Sequence, residues 1–145
     1  MDHYTKDNFQ MTKSVGFQLN RARNSLVMEL DGALQRLDIT AQQIGILLSL
    51  THGVASTPYE LCKILAIDTG LMTRMLDKLE KRRLLCRSRS LEDRRVVNLA
   101  ITVKGREVAA RIPDVVLPVL NHRLRDFTPS EFDEFLRLLN KFNNA

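Results

Sequence analysis

The feature that most constrains the fold is a pair of short helical segments followed by a change in hydrophobic period. Thr57-Pro58-Tyr59-Glu60 predicts a helix start, with Thr as N-cap, Pro at the first helical position and Glu at the third. This pattern stops at Asp68-Thr69-Gly70, and a second helix is predicted over 69–82. The apolar residues then alternate, which predicts strands at Leu85–Arg89 and 96–101. Two short helices, a tight turn and a hairpin predict a winged helix-turn-helix.

The segments on either side predict longer amphipathic helices. Apolar residues recur every three or four positions over 12–36, and Thr40 opens an apolar helix over 41–51 through a capping box with Gln43. Another helix is predicted after Thr102, with a bend at one of its two prolines, and a last helix follows the capping box of residues 128–131. We therefore expect an α+β, mostly helical fold.

The apolar faces of the terminal helices have too little partner within one subunit and indicate a homodimer. We expect a single domain over 1–145, in which 40–112 forms the winged helix-turn-helix lobe. The segments 1–39 and 113–145 are expected to supply the dimerisation helices. The predicted dimer contacts are Val15, Leu19, Leu117, Leu120, Phe132, Phe135, Leu139 and Phe142.

Positive charge is concentrated in one quarter of the chain. The net charge is +5, but 71–106 alone carries eleven Lys and Arg against four acids, a local charge of +7. Because the remaining residues sum to −2, the basic quarter indicates a polyanionic partner, with double-stranded DNA ahead of a membrane surface. The residues predicted to contact DNA lie on the second short helix and the hairpin, and are Thr69, Gly70, Thr73, Arg74, Lys78, Lys81, Arg87, Arg94 and Arg95.

Several classes of protein are excluded by what the sequence lacks. Its apolar runs, such as 44–50, are far shorter than the ~20 residues of a membrane span. The first residues do not form a secretory signal, and the two cysteines fit a cytoplasmic location. Neither Cys62 nor Cys86 has a second metal ligand at a suitable spacing, so no metal or other cofactor is expected. No phosphate loop or catalytic constellation predicts an enzyme.

The residues of the central segment resemble those of MarR-type transcriptional regulators. The resemblance rests on Asp68-Thr69-Gly70-Leu71-Met72-Thr73-Arg74, on Leu76-Asp77-Lys78-Leu79-Glu80-Lys81 and on Asp93-Arg94-Arg95. Spacing and order match over about 37–105, and the flanking helices agree in length and position. Two departures are Arg83, where the family usually has Gly, and Ile101-Thr102 in place of Leu-Thr.

The resemblance implies a homodimer that binds a pseudo-palindromic operator, usually as a repressor, and releases it when a small phenolic or carboxylated ligand binds. Arg21 and Asn24, one turn apart on the first helix, are the candidates for receiving an effector carboxylate. Arg94 is expected to enter the minor groove while Asp93 orients Arg95. Two alternatives are a winged-helix module that binds proteins without DNA, and a thiol-based redox sensor using Cys62 or Cys86.

Overall fold

The computed structural model describes residues 1–145 and contains six helices and one two-stranded antiparallel sheet. The elements in chain order are α1 (Val15–Leu34), α2 (Ala41–Thr51), α3 (Pro58–Leu65), α4 (Thr69–Lys81), β1 (Leu85–Arg89), β2 (Val97–Ile101), α5 (Val103–Leu124) and α6 (Pro129–Asn143). Two short 3₁₀ turns flank α1, at Met11–Lys13 and Gln35–Leu37. The α+β, mostly helical winged helix-turn-helix expected from the sequence is confirmed.

The hairpin formed by β1 and β2, here called the wing, is attached to the loop before α3. Leu85 pairs with Ile101 at its base and Arg89 with Val97 near its tip. The backbone N–H of Leu99 donates to the carbonyl oxygen of Ser56 at 2.7 Å, which ties β2 to the loop before α3. The wing therefore has a fixed base beside the helix-turn-helix.

The hydrophobic core lies where α1, α2 and α5 meet the inner side of α4. Side chains from all these elements are almost fully buried: Leu34, Ile46, Leu47, Leu61, Met72, Leu76, Leu79, Leu84, Leu85 and Ile112. Each large apolar side chain buried in this way contributes roughly 1.5–3 kcal/mol. The core therefore fixes one face of α4 and leaves its other face free.

The end of α4 is a hydrogen-bonded motif with a left-handed residue at its centre. Arg83 has φ +60°, its N–H donates to the carbonyl oxygen of Glu80 at 2.8 Å, and that of Leu84 donates to Leu79 at 3.0 Å. This pair of bonds defines a Schellman motif. Arg83 thus adopts the left-handed conformation that Gly usually provides, and the turn forms although Arg replaces the usual Gly.

Gly105 allows the backbone of α5 to pass close to the end of α4. A Cβ at this position would lie 2.0 Å from the carbonyl oxygen of Leu84, and that oxygen accepts the N–H of Thr102 at 3.1 Å. No side chain fits there, so the contact fixes where α5 leaves the wing.

The helix α5 is continuous and contains both Pro113 and Pro118. The predicted division between 112 and 113 therefore falls inside one element, and the proposed DNA-binding lobe and dimerisation helices share α5. Arg123 near its end binds Glu29 of α1 through two hydrogen bonds of 2.8 and 3.0 Å. Arg123 also donates to the hydroxyl oxygen of Ser25 on α1 at 2.7 Å.

None of the helices is both long and apolar enough to span a membrane.

Candidate nucleic-acid interface

The polar residues of α4 are exposed, except for the half-buried Glu80. Burial of the opposite face, through residues such as Met75 and Leu79, orients the helix and turns its polar residues outward. Six predicted contacts are therefore brought together on one exposed helix surface: Thr69, Gly70, Thr73, Arg74, Lys78 and Lys81. The three cations among them, Arg74, Lys78 and Lys81, have no ion-pair partner within the chain.

The first turn of α4 is preorganised by its N-cap. The Asp68 carboxylate accepts the N–H of Leu71 at 2.9 Å, which satisfies one of the free donors at the helix start. The Thr73 hydroxyl donates to the carbonyl oxygen of Thr69 at 2.9 Å, so its lone pairs remain available to accept. At Gly70 no side chain intervenes between the exposed backbone and an approaching partner.

The tip of the wing is an ordered turn that holds its two arginines differently. Arg95 donates from Nε and one terminal nitrogen to the two oxygens of Asp93, both at 3.0 Å. This bidentate pair lowers the pKa of Asp93. The carbonyl of Arg94 is held by Arg89 at 2.8 Å, while the guanidinium of Arg94 has no partner within the chain. The structure thus pairs Asp93 with Arg95 and leaves Arg94 exposed and unpaired.

A concave surface of about 580 Å³ lies between α3, the first turns of α4 and the wing. Thr69, Thr73 and Arg95 line it together, although Thr73 and Arg95 are 22 positions apart in the sequence. Tyr59 on α3 lines the opposite wall and is exposed. The helix and the wing therefore face one continuous surface.

Arg87 lies outside this surface because it binds acids of α4. Its guanidinium donates to Asp77 at 2.6 Å and to Glu80 at 3.0 Å, and its backbone N–H also donates to Glu80, at 2.8 Å. These bonds lower the pKa of Glu80 and raise that of Arg87. Of the predicted DNA contacts, Arg87 and Arg95 are thus already paired with acids, and Arg87 is the one held by two of them. We call this group of three residues the α4–β1 clasp.

The C-terminal end of α4 is held from two further directions. Arg82 binds both the backbone carbonyl and the carboxylate of Asp38, the latter at 3.2 Å. From the other side, Lys104 donates to the carbonyl of Arg82 at 3.1 Å and the Thr102 hydroxyl donates to that of Arg83 at 2.7 Å. The helix is therefore anchored at its end, whereas its first turns carry the exposed polar face.

The candidates for binding an effector are placed on the exposed side of α1. Arg21 and Asn24 are both exposed. A mostly apolar cavity of about 400 Å³ lies next to them, between α1, α2 and the turn that joins α3 to α4. The charged residues in its walls are Arg23 and Asp68. The sequence did not single out Arg23. Which of several exposed residues on α1 lines the cavity depends on how α1 packs against α2, and this packing cannot be read from helical spacing alone.

The predicted dimer contacts fall into exposed and half-buried groups. Leu19, Leu120 and Leu139 are half-buried, and the other five are exposed. No residue of α6 is buried, and its link to the rest of the chain includes the Phe127–Phe135 ring pair, with centroids 5.7 Å apart. The apolar face of α6 is therefore left uncovered in one subunit.

Comparisons with known proteins agree with this architecture. The MarR family profile matches residues 39–97. The chain is 32% identical over 124 residues to the multiple antibiotic resistance protein MarR of Escherichia coli, covering 85% of this chain and 84% of that one. A crystal structure of a mutant of this E. coli protein complexed with operator DNA superimposes with a TM-score of 0.81 at 29% identity, over 88% and 92% of the two chains.

A second solved structure is similar over nearly the full length. It is that of BpsR from Bordetella bronchiseptica, whose DNA binding is described as regulated by 6-hydroxynicotinic acid. The TM-score is 0.86 at 25% identity, and the match covers 94% of this chain and 98% of BpsR.

Proposed function

Because this chain belongs to the MarR family of transcriptional regulators, we propose that it binds operator DNA as a homodimer through α4 and the wing. The observation that carries the proposal is the shared concave surface, where Thr69, Thr73 and Arg95 meet. The first turns of α4 would read base edges in the major groove, and Arg94 would enter the minor groove. The relatives are transcriptional regulators, a non-enzymatic role, and this role supports the proposal of a cytoplasmic location.

We assign the predicted DNA contacts three different roles: contact with bases, contact with phosphates and positioning of the wing. Arg74 lies one turn after Gly70 on the exposed face and would contact bases, whereas Lys78 and Lys81, further along the helix, would contact phosphates. Arg87 would act through the α4–β1 clasp by holding the wing against α4 rather than by touching DNA. The unpaired cations of α4 and the wing, within a segment of local charge +7, support DNA over a protein partner.

The test compares base reading with backbone contact. Operator sites are first obtained by selecting bound fragments from random DNA, and binding is then measured over a salt series on selected and scrambled duplexes. Arg74→Ala should weaken operator binding about ten- to a hundredfold, because a bidentate Arg–guanine contact discriminates by roughly 1–3 kcal/mol. Lys81→Ala should reduce the salt slope by about one without changing sequence preference.

Arg94→Ala is the matched variant at the wing. Its loss of affinity should depend on minor-groove width and not on a single base pair. Equal proportional losses on both duplexes for Arg74→Ala would show that α4 does not read sequence through this residue.

We further propose that the apolar cavity beside α1 takes the small phenolic or carboxylated ligand that releases DNA. Its apolar walls suit an aromatic ring, and Arg23 would pair with a carboxylate. Because Asp68 lines the cavity and also caps α4, a ligand there would contact the residue that fixes the start of this helix. We call α4 the reading helix, after its proposed role. Ligand binding therefore acts on DNA binding through the position of the first turn of α4.

Salicylate, a phenolic carboxylate, is the probe for this cavity. We expect Arg23→Gln to abolish release of DNA by salicylate, with Arg21→Gln as the matched variant on the same helix. Loss of response in Arg21→Gln or Asn24→Ala alone would instead assign the carboxylate to the exposed pair predicted from the sequence. Loss only in a Cys62→Ser, Cys86→Ser double variant, tested with an oxidant, would favour the thiol alternative.

A further inference from the structure

A third cavity, of about 530 Å³, lies between the end of α1, the start of α2 and the C-terminal half of α4. We call it the α2–α4 cavity. It shares no lining residue with the concave DNA-facing surface or with the apolar cavity. Its walls are polar apart from Ile39, so its chemistry differs from that of a pocket for an aromatic ligand.

A buried amide donor faces this cavity without a partner. Gln43 is 6% exposed, and its Oε1 accepts the N–H of Thr40 at 3.0 Å. Its Nε2 makes no hydrogen bond within the chain. Because no fully buried side-chain nitrogen or oxygen lacks a partner, this nitrogen retains accessible surface, and Gln43 lines the cavity. A largely buried donor left unpaired costs free energy, and an acceptor oxygen would relieve that cost.

Two cations on the facing wall are also unpaired. Lys78 and Lys81 lie one turn apart on α4 and have no carboxylate partner, whereas Arg82 is bound by Asp38. Asp31 uses one carboxylate oxygen to accept the N–H of Ala41 at 2.7 Å and keeps its other oxygen free. The lining of the cavity thus includes ammonium donors from α4, an amide donor from α2, and the carboxylates of Asp31 and Asp38 as acceptors.

We propose that the α2–α4 cavity binds a small hydroxylated oxyanion, a carboxylate or a phosphate, as a second effector site. The oxyanion is held by Lys78, Lys81 and the Nε2 of Gln43, and its hydroxyl groups donate to Asp31 and Asp38. The consequence for DNA rests on the proposed function, because the same two lysines are the proposed phosphate contacts. A bound oxyanion neutralises them and weakens operator binding.

The direct test is isothermal titration of the full-length chain with gluconate, glucose 6-phosphate and neutral glucose. We expect one of the two oxyanions to bind at least tenfold more tightly than glucose, and the better one identifies the oxyanion class. Failure of both to bind at millimolar concentration, or binding of glucose as tight as theirs, overturns the proposal.

Gln43→Glu is the discriminating variant. It keeps the oxygen that caps α2 and replaces the free donor with a carboxylate oxygen, so binding of the oxyanion should fall at least tenfold. Gln42→Glu adds the same charge to the neighbouring exposed position and should bind as the wild type does. If circular dichroism shows that Gln43→Glu is unfolded, Lys81→Ala replaces it, with the same expected loss. Unchanged binding in the folded variant overturns the site.

The final measurement is operator binding with and without the oxyanion. We expect the oxyanion to weaken binding in the wild type but not in Gln43→Glu. Oxyanion binding without any DNA binding would overturn the proposed function and leave the site standing. DNA binding that is unaffected by a bound oxyanion would overturn its role as an effector.

Discussion

At the scale of single residues, Arg83 keeps a backbone conformation that its side chain disfavours. A left-handed backbone places Cβ too close to the following carbonyl oxygen, at a cost of roughly 1–2 kcal/mol for an L-residue. The two Schellman hydrogen bonds and the buried Leu84 offset this cost. The chain therefore retains the turn at the expense of some stability.

We expect Arg83→Gly to raise the free energy of unfolding by about 1 kcal/mol, since Gly adopts φ +60° without the Cβ penalty. Urea unfolding followed by circular dichroism would measure the change. Arg83→Ala is the control, because it removes the same charge but keeps the Cβ. Equal stabilisation by both variants would attribute the effect to charge and not to the backbone.

At the scale of elements, the α4–β1 clasp joins the reading helix to the wing. A lowered pKa in the folded state means that ionised Glu80 stabilises the fold above its ordinary pKa of about 4.3, and that this contribution is lost as the pH falls. Glu80 is partly exposed and screened by solvent, so the contribution is modest.

We expect Glu80→Gln to be less stable than the wild type at pH 7, and the difference to shrink as the pH is lowered to 3. Urea unfolding at pH 7, 5 and 3 would show this convergence. Glu92→Gln, at an exposed acid of the wing without an ion pair, should follow the wild type at every pH. A difference that is constant with pH would mean that the carboxylate charge of Glu80 does not act in the clasp.

The helices and strands of this region could be predicted from the sequence, whereas the contacts of the clasp could not. Helix starts were predictable because capping acts within four residues, as at Thr57 and Thr128, and the strands followed from alternation over a few positions. The role of Arg87 could not be predicted, because its partners on α4 are set by how β1 packs against that helix. The scarce acids within a basic segment were the available signal: three of the four, Asp77, Glu80 and Asp93, bind arginines.

At the scale of the whole molecule, α6 presents an apolar face that one subunit does not cover. Phe132, Phe135, Leu136, Leu139 and Phe142 share this face, and none is fully buried. A second copy of the chain, contributing the same face, would remove these side chains from water. Dimerisation would also place two reading helices at a fixed spacing on the DNA.

We expect Phe142→Glu to shift the protein from dimer to monomer, because a charge in an apolar interface is costly to desolvate. Light scattering over a range of concentrations would measure the shift, and operator binding should fall with it. Lys141→Glu adds the same residue on the opposite side of α6 and should remain dimeric. A dimer that withstands Phe142→Glu would place the interface elsewhere.

The two faces of α4 have a consequence for how regulators of this kind diversify. Its inner face is committed to the core, and its end is anchored by Arg82 and by residues of α5, whereas Thr69, Gly70, Thr73 and Arg74 contribute nothing to buried packing. Exposed substitutions of this sort usually change stability by less than about 0.5 kcal/mol. If these four positions read the operator as proposed, mutation can explore new operator sequences there without endangering the scaffold, and a gene duplicate can acquire a new set of targets in a few steps.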